Sequence, residues 1–176
     1  MAFGTILLCS GRKAPLLDIR LLIPSPKSEV EYLGIDNTFS LSSISAEAVI
    51  VEILSLQCLQ CQREASRVNE FYELLQKSGY EDKFKLIGIG VMNSAFDMKT
   101  FKMKYNVSFP LFPDPEGTIT KKLGVEETPA FLALRISKDR QEIVCTSLPG
   151  IEEAESFLFS VIKTCNLKDG KCQWEP

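Results

Sequence analysis

An α/β fold is predicted, with a mixed central sheet covered by helices on both faces, and three observations predict it. A continuous β-branched run, 48–54, reads as a central strand buried on both sides. A segment from Leu59 to Lys77 then repeats its apolar positions every three and four residues, as a one-sided helix does. Strand-like and helix-like segments go on alternating to the end of the chain, which calls for parallel crossovers and a three-layer arrangement.

The N-terminal residues are the least regular. Residues 1–13 read as a signal remnant or an N-terminal strand, because Ala2 to Cys9 is apolar but short, with no basic residue in front. Cys9 after Leu7-Leu8 resembles a lipoprotein cysteine, but Leu8 is a poor neighbour for such a site. An extended stretch starts at Ala14-Pro15 and stops at Pro24-Ser25-Pro26. Val30–Leu33 and Thr38–Leu41 are short strand candidates around the turn-like Gly34-Ile35-Asp36-Asn37.

The helix after the central strand presents Ala65, Val68, Tyr72 and Leu75 on one side, with a glycine stop at Gly79. Phe84–Val91 is the next strand. Ser94 and Asp97 form a capping pattern that opens a helix with Met98, Phe101 and Tyr105 on one face. Phe109–Phe112 is a strand ended by Pro113, and Asp114-Pro115 reads as the cap and first position of a short helix closing at Gly124. Phe131–Ile136 and Ile143–Cys145 form an antiparallel hairpin. A last helix presents Ile151, Ala154, Phe157, Leu158, Val161 and Ile162. Residues 14–164 thus read as one domain, and 165–176 as a polar tail.

Composition removes whole classes of function. A net charge of −3 without a Lys/Arg stripe argues against a nucleic-acid surface. The chain of 176 residues contains no histidine, which rules out Cys-His pairs, histidine-held haem and histidine-ligated metal. No stretch reaches the roughly 18 apolar residues of a membrane-spanning helix. The chemistry is left to cysteine, carboxylates, lysine or tyrosine.

Cys58-Leu59-Gln60-Cys61 lies where the central strand meets its helix. A thiol just ahead of a helix faces unpaired N–H groups and the positive end of the dipole, which stabilise a thiolate. Cys58 is then the attacking sulfur, and Cys61, one turn later, resolves the mixed disulfide. A static disulfide, two packed thiols or half of a zinc site are the competing uses. Zinc would need a second close pair, and Cys165 and Cys172 have six residues between them, not the usual spacing. Glu52 stands in the middle of the apolar strand, where burial is costly and raises a carboxyl pKa. It could then move a proton to or from Cys61, unless it faces outward. Cys145 reads as a small apolar strand residue.

Residues from about Ala14 to Ile162 resemble thioredoxin-fold proteins of the TlpA/ResA-like, AhpC/TSA-related thiol-disulfide oxidoreductase type. The motifs are Ala14-Pro15, Phe39-Ser40-Leu41, Cys58 to Glu64, Phe109 to Asp114, Leu123-Gly124-Val125, Thr128-Pro129 and Gly150. The resemblance implies a thioredoxin-like fold with an N-terminal extension and a helix-strand insertion over 93–125. It implies that Thr128-Pro129 is the cis-proline loop, facing the dithiol and pairing with substrate backbone. Glu52 matches the buried acid of thioredoxin itself. No cofactor or metal is implied beyond the Cys58–Cys61 disulfide. The implied partners are protein disulfides or dithiols and an electron-donating membrane protein, with an extracytoplasmic location.

Three departures stand out. Gln57 replaces the usual tryptophan, Leu54 and Leu56 replace the common aromatic pattern, and Leu59-Gln60 lacks the proline or histidine that tunes many relatives. A reducing or middling potential is therefore expected. Peroxiredoxins share the scaffold, but no arginine directly precedes Thr128-Pro129 and no proline lies near Leu54. A binding module with a structural disulfide is the non-enzymatic alternative.

Overall fold

The computed structural model describes residues 7–8, 12–14, 18–20, 27–34, 38–137, 140–147, 151 and 153–165. In chain order these form β1 (Leu7–Leu8), β2 (Arg12–Ala14), β3 (Asp18–Arg20), α1 (Lys27–Leu33) and β4 (Thr38–Ser40), followed by a 3-10 turn at Leu41–Ser43. The central unit is β5 (Ala48–Leu54), α2 (Leu59–Lys77) and β6 (Phe84–Val91). Then come α3 (Ala95–Lys104), β7 (Leu111–Asp114), α4 (Thr118–Leu123), β8 (Ala130–Ser137), β9 (Arg140–Ser147) and α5 (Ala154–Cys165).

The main sheet runs β1-β9-β8-β5-β6-β7, with β2 also on the outer edge of β9, and β3 and β4 form a separate ribbon. β5 is central. It pairs in parallel with β6 from Ala48↔Phe84 to Leu54↔Gly90, and antiparallel with β8 from Ala48↔Arg135 to Ile53↔Ala130. This register has one consequence for chemistry. The C-terminal ends of β5 and β6 and the N-terminal end of β8 meet on one rim of the sheet.

Alternation along β5 feeds two cores, one on each side. Ala48, Ile50 and Leu54 join Cys61, Ala65, Val68 and Phe71 of α2, with Phe157 and Val161 of α5. Val49, Val51 and Ile53 join Leu33, Leu41, Phe112 and Leu123 on the opposite face. Glu52, between Ile50 and Leu54, therefore faces α2 and α5.

Where Val30–Leu33 was expected as a strand, α1 forms instead. Gly34, at φ +63°, ends that helix and donates its N–H to Val30 O at 2.9 Å, and Leu33 is buried against the sheet. Glu29 anchors it to α3 through Lys102, Nζ to Oε1 2.6 Å. β7 runs past Pro113, which is tolerated because β7 is an edge strand and needs no N–H on its open side. Asp114 closes β7 rather than capping from the adjacent residue. α4 starts three residues later than Pro115, behind Gly117 in the left-handed conformation. Ile151 precedes α5 rather than lying within it. The Ala14–Ile23 stretch yields two short strands that pair with different partners, β2 with β9 and β3 with β4. Cys9, the turn at Lys138-Asp139, Gly150 and the tail carrying Cys172 lie outside the described residues.

Candidate active site

The three strand ends place two cysteines, two glutamates and the Thr128-Pro129 loop together. β5 ends at Leu54, and the loop turns at once, with Cys58 N–H donating to Ser55 O at 3.1 Å. Cys58 is the N-cap of α2, in extended conformation (φ −77°, ψ 110°), and its sulfur accepts the Cys61 N–H at 3.1 Å. A cap oxygen usually takes this place; here a sulfur occupies it. Cys58 is partly exposed and Cys61 fully buried, both as free thiols.

Across from them, the Thr128–Pro129 peptide is cis, and Thr128 O accepts from the Cys58 thiol at 3.4 Å. The two sulfurs titrate in opposite directions. Partial burial pushes Cys58 up, but hydrogen bonds from Cys61, Thr128 and the Gln60 backbone outweigh it, and its pKa falls below the ordinary thiol value. Burial pushes Cys61 well above that value, and a hydrogen bond and charge at Cys58 push it further.

Glu52 is 2% exposed, and its carboxyl is raised to about 8, first by burial, then by the charges of Glu64 and Cys58. A carboxyl poised near neutrality and within electrostatic reach of Cys58 can exchange protons at the dithiol.

Glu64, one turn after Cys61, is also buried. Its carboxylate accepts from the Gln60 side chain and from Ile151 N–H at 3.3 Å, tying α2 to the entry of α5. Asn93 is fully buried after β6. Its side chain accepts Leu56 N–H at 2.8 Å and donates to Gln57 Oε1 at 2.8 Å and Met92 O at 3.1 Å. Gln62 holds the other side of the same residue, Nε2 to Leu56 O 2.7 Å. The loop before Cys58 is thus clamped on both sides.

Neither Glu64 nor Asn93 was assigned a role from the sequence. Glu64 carries a readable signal, because it shares the buried face of Cys61, Ala65 and Val68 at spacings of three and four. Asn93 carries none. It is one polar residue after a strand, and only the paired strand ends bring it to the loop. Among the described residues, no group of three Cys, Asp or Glu side chains is disposed to hold a metal ion.

Residues 21–143 match the AhpC/TSA family. The thiol-disulfide oxidoreductases ResA of Bacillus thuringiensis subsp. konkukian and of Bacillus cereus are each 28% identical over 104 residues. That alignment covers 58% of this chain and 58% of either relative, so the chain spans under two thirds of their length. The thioredoxin domain of a thiol-disulfide oxidoreductase from Bacteroides vulgatus superposes with TM-score 0.63 at 17% identity, covering 90% of this chain and 99% of that one. A secreted disulfide oxidoreductase of Mycobacterium tuberculosis gives 0.58 at 18%, covering 84% and 95%. These superpositions establish a thioredoxin-like fold.

Proposed function

The chain belongs to the AhpC/TSA family, and from that premise we propose that it is a thiol-disulfide oxidoreductase that reduces disulfides in other proteins. The observation that supports this best is Cys58 at the helix cap, its sulfur accepting the Cys61 N–H at 3.1 Å, with its pKa lowered. The Cys58 thiolate attacks one sulfur of a substrate disulfide. That S–S bond breaks, the other substrate sulfur leaves with the electron pair and takes up a proton, and a mixed disulfide remains. Glu52, as carboxylate, accepts the Cys61 proton. Cys61 then attacks the Cys58 sulfur, and the second substrate thiol departs. Two electrons have passed to the substrate, and a Cys58–Cys61 disulfide is left. A dithiol donor must reduce it again.

Thr128 and Pro129 shape the approach, with the backbone of the loop pairing with extended substrate. The family resemblance supports an extracytoplasmic setting and a membrane protein as electron donor; no described helix is long and apolar enough to cross a membrane. The absence of histidine or proline between the cysteines favours the reducing direction.

Trapping tests the reading. A Cys61→Ser variant should accumulate mixed disulfides through Cys58, visible on non-reducing gels and removed by dithiothreitol. Iodoacetamide labelling of that variant against pH should titrate below an ordinary thiol. If no partner is captured and Cys58 labels as an ordinary thiol, the chain is a binding module on the same scaffold.

A further inference from the structure

Beside the dithiol, one residue is held in a conformation that its type rarely adopts. Met92 follows β6 with φ +55°, in the left-handed region that favours glycine and asparagine. Its backbone is fastened on both sides. Its N–H donates to Asp114 O at 2.9 Å, and its carbonyl accepts from the Asn93 side chain at 3.1 Å. The same Asn93 amide accepts the Leu56 N–H and donates to the Gln57 side chain ahead of Cys58. The strained residue is therefore fixed to the loop that presents the reactive sulfur.

The constraint gives the core nothing. Met92 is 69% exposed, and Leu59, directly after Cys58, is 65% exposed. The register sets them on one rim, because Leu54 pairs with Gly90 and the chain leaves both strands side by side towards Leu56 and Met92. Strain that persists at a reactive rim is expected where the strained residue has a use there. An exposed methionine is flexible and polarizable, suited to apolar side chains of different shape.

Resting on the reading of this chain as a disulfide reductase, we propose that Met92 is a specificity-determining residue. It contacts an apolar side chain next to the attacked cysteine of a polypeptide disulfide, with Leu59 on the other side of the contact. The preferred substrates are then disulfides flanked by a bulky apolar residue, and small disulfides are handled without Met92.

Three substrates test this with the full chain: cystine, a disulfide-bonded peptide with leucine beside its cysteine, and the same peptide with serine there. Met92→Gly relaxes the backbone and Met92→Ala does not, yet both remove the side chain. Both should lose about tenfold in kcat/KM on the leucine peptide and stay within about twofold on the other two. Met92→Leu should restore the leucine peptide. Equal losses on all three substrates, or none on the leucine peptide, would overturn the inference while leaving the exchange chemistry standing. A wild-type chain inactive on cystine and on both peptides would instead remove the exchange reading, and this inference with it.

Discussion

Two buried carboxylates, Asp114 and Glu52, have opposite surroundings. Asp114 closes β7 and meets three donors: Ile119 N–H at 3.2 Å, Thr120 N–H at 2.9 Å and the Thr120 hydroxyl at 2.8 Å. It opens α4 from four residues ahead of the helix, where the N-cap residue Gly117 supplies no side-chain hydrogen bond. Glu52 sits mid-strand with the charges of Glu64 and Cys58 added to burial, and all three act against its ionisation. A buried acid given donors holds structure together. A buried acid given other acids holds its proton up to about neutral pH, and here it feels the charge of Cys58.

The largest effect should come from Cys58. Cys58→Ser should abolish disulfide reduction in a turbidity assay with insulin while leaving the fold intact by circular dichroism. Residual activity within tenfold of wild type would place the attack elsewhere, against the lowered pKa of Cys58.

Glu52→Gln comes next, because it removes the unfavourable member of the comparison. With its carboxyl raised from 4.5 to about 8, the folded state holds the proton more tightly than the unfolded chain does. Stability from this group is then complete at low pH and falls as pH rises from about 4.5 to about 8, by at most roughly 1.4 kcal/mol per unit. Urea midpoints across that range should show this slope in wild type and a flatter one in Glu52→Gln. The variant should also reduce protein disulfides roughly 100-fold more slowly at neutral pH, with formation of the Cys58 mixed disulfide spared. Parallel stability slopes would return Glu52 to an ordinary, solvated carboxylate.

Asp114→Ala breaks the favourable member. Three hydrogen bonds to one buried carboxylate are lost, for a cost of about 2 kcal/mol, read as a lower urea midpoint. Disulfide exchange should stay within about twofold, because Asp114 reaches the reactive rim only through its backbone carbonyl to Met92.

The two acids also show what the sequence discloses. Glu52 stands out because a carboxylate interrupts a continuous apolar run, and the strand 48–54 and helix 59–77 have the predicted bounds for the same reason. Pattern within one element is local and therefore readable. Glu64 lies in Gln62-Arg63-Glu64, which reads as a solvated turn until the buried face of α2 is traced through it. The helix at Lys27–Leu33 is too short to establish a period, so its β-branched and aromatic residues suggest a strand. Asp114 suggests the right act at the wrong distance, since capping from four residues ahead depends on Gly117 turning the chain. Asn93 depends on the pairing of β5 with β6, which no local pattern encodes.

The smallest expected effect sits next to the reactive rim. Ser94 caps α3 by accepting the Asp97 N–H at 3.2 Å, while Asp97 accepts the Ser94 N–H at 2.8 Å. Ser94→Ala removes half of this capping box and should cost about 1 kcal/mol, since one helix donor goes back to water. Hydrogen bonds from Ser94 hold the Asp97 carboxyl below its usual value, so its contribution is present above that value and lost as pH falls through it. The variant's loss of stability should therefore be largest at neutral pH and shrink in acid, leaving the part due to the Asp97 N–H cap. Ser94 follows Asn93 directly, so the activity readout separates two roles for this cap. Unchanged exchange would mean that Asn93 is held by its own bonds to Leu56 and Gln57. A loss confined to protein substrates would mean that the root of α3 also keeps Met92 in place.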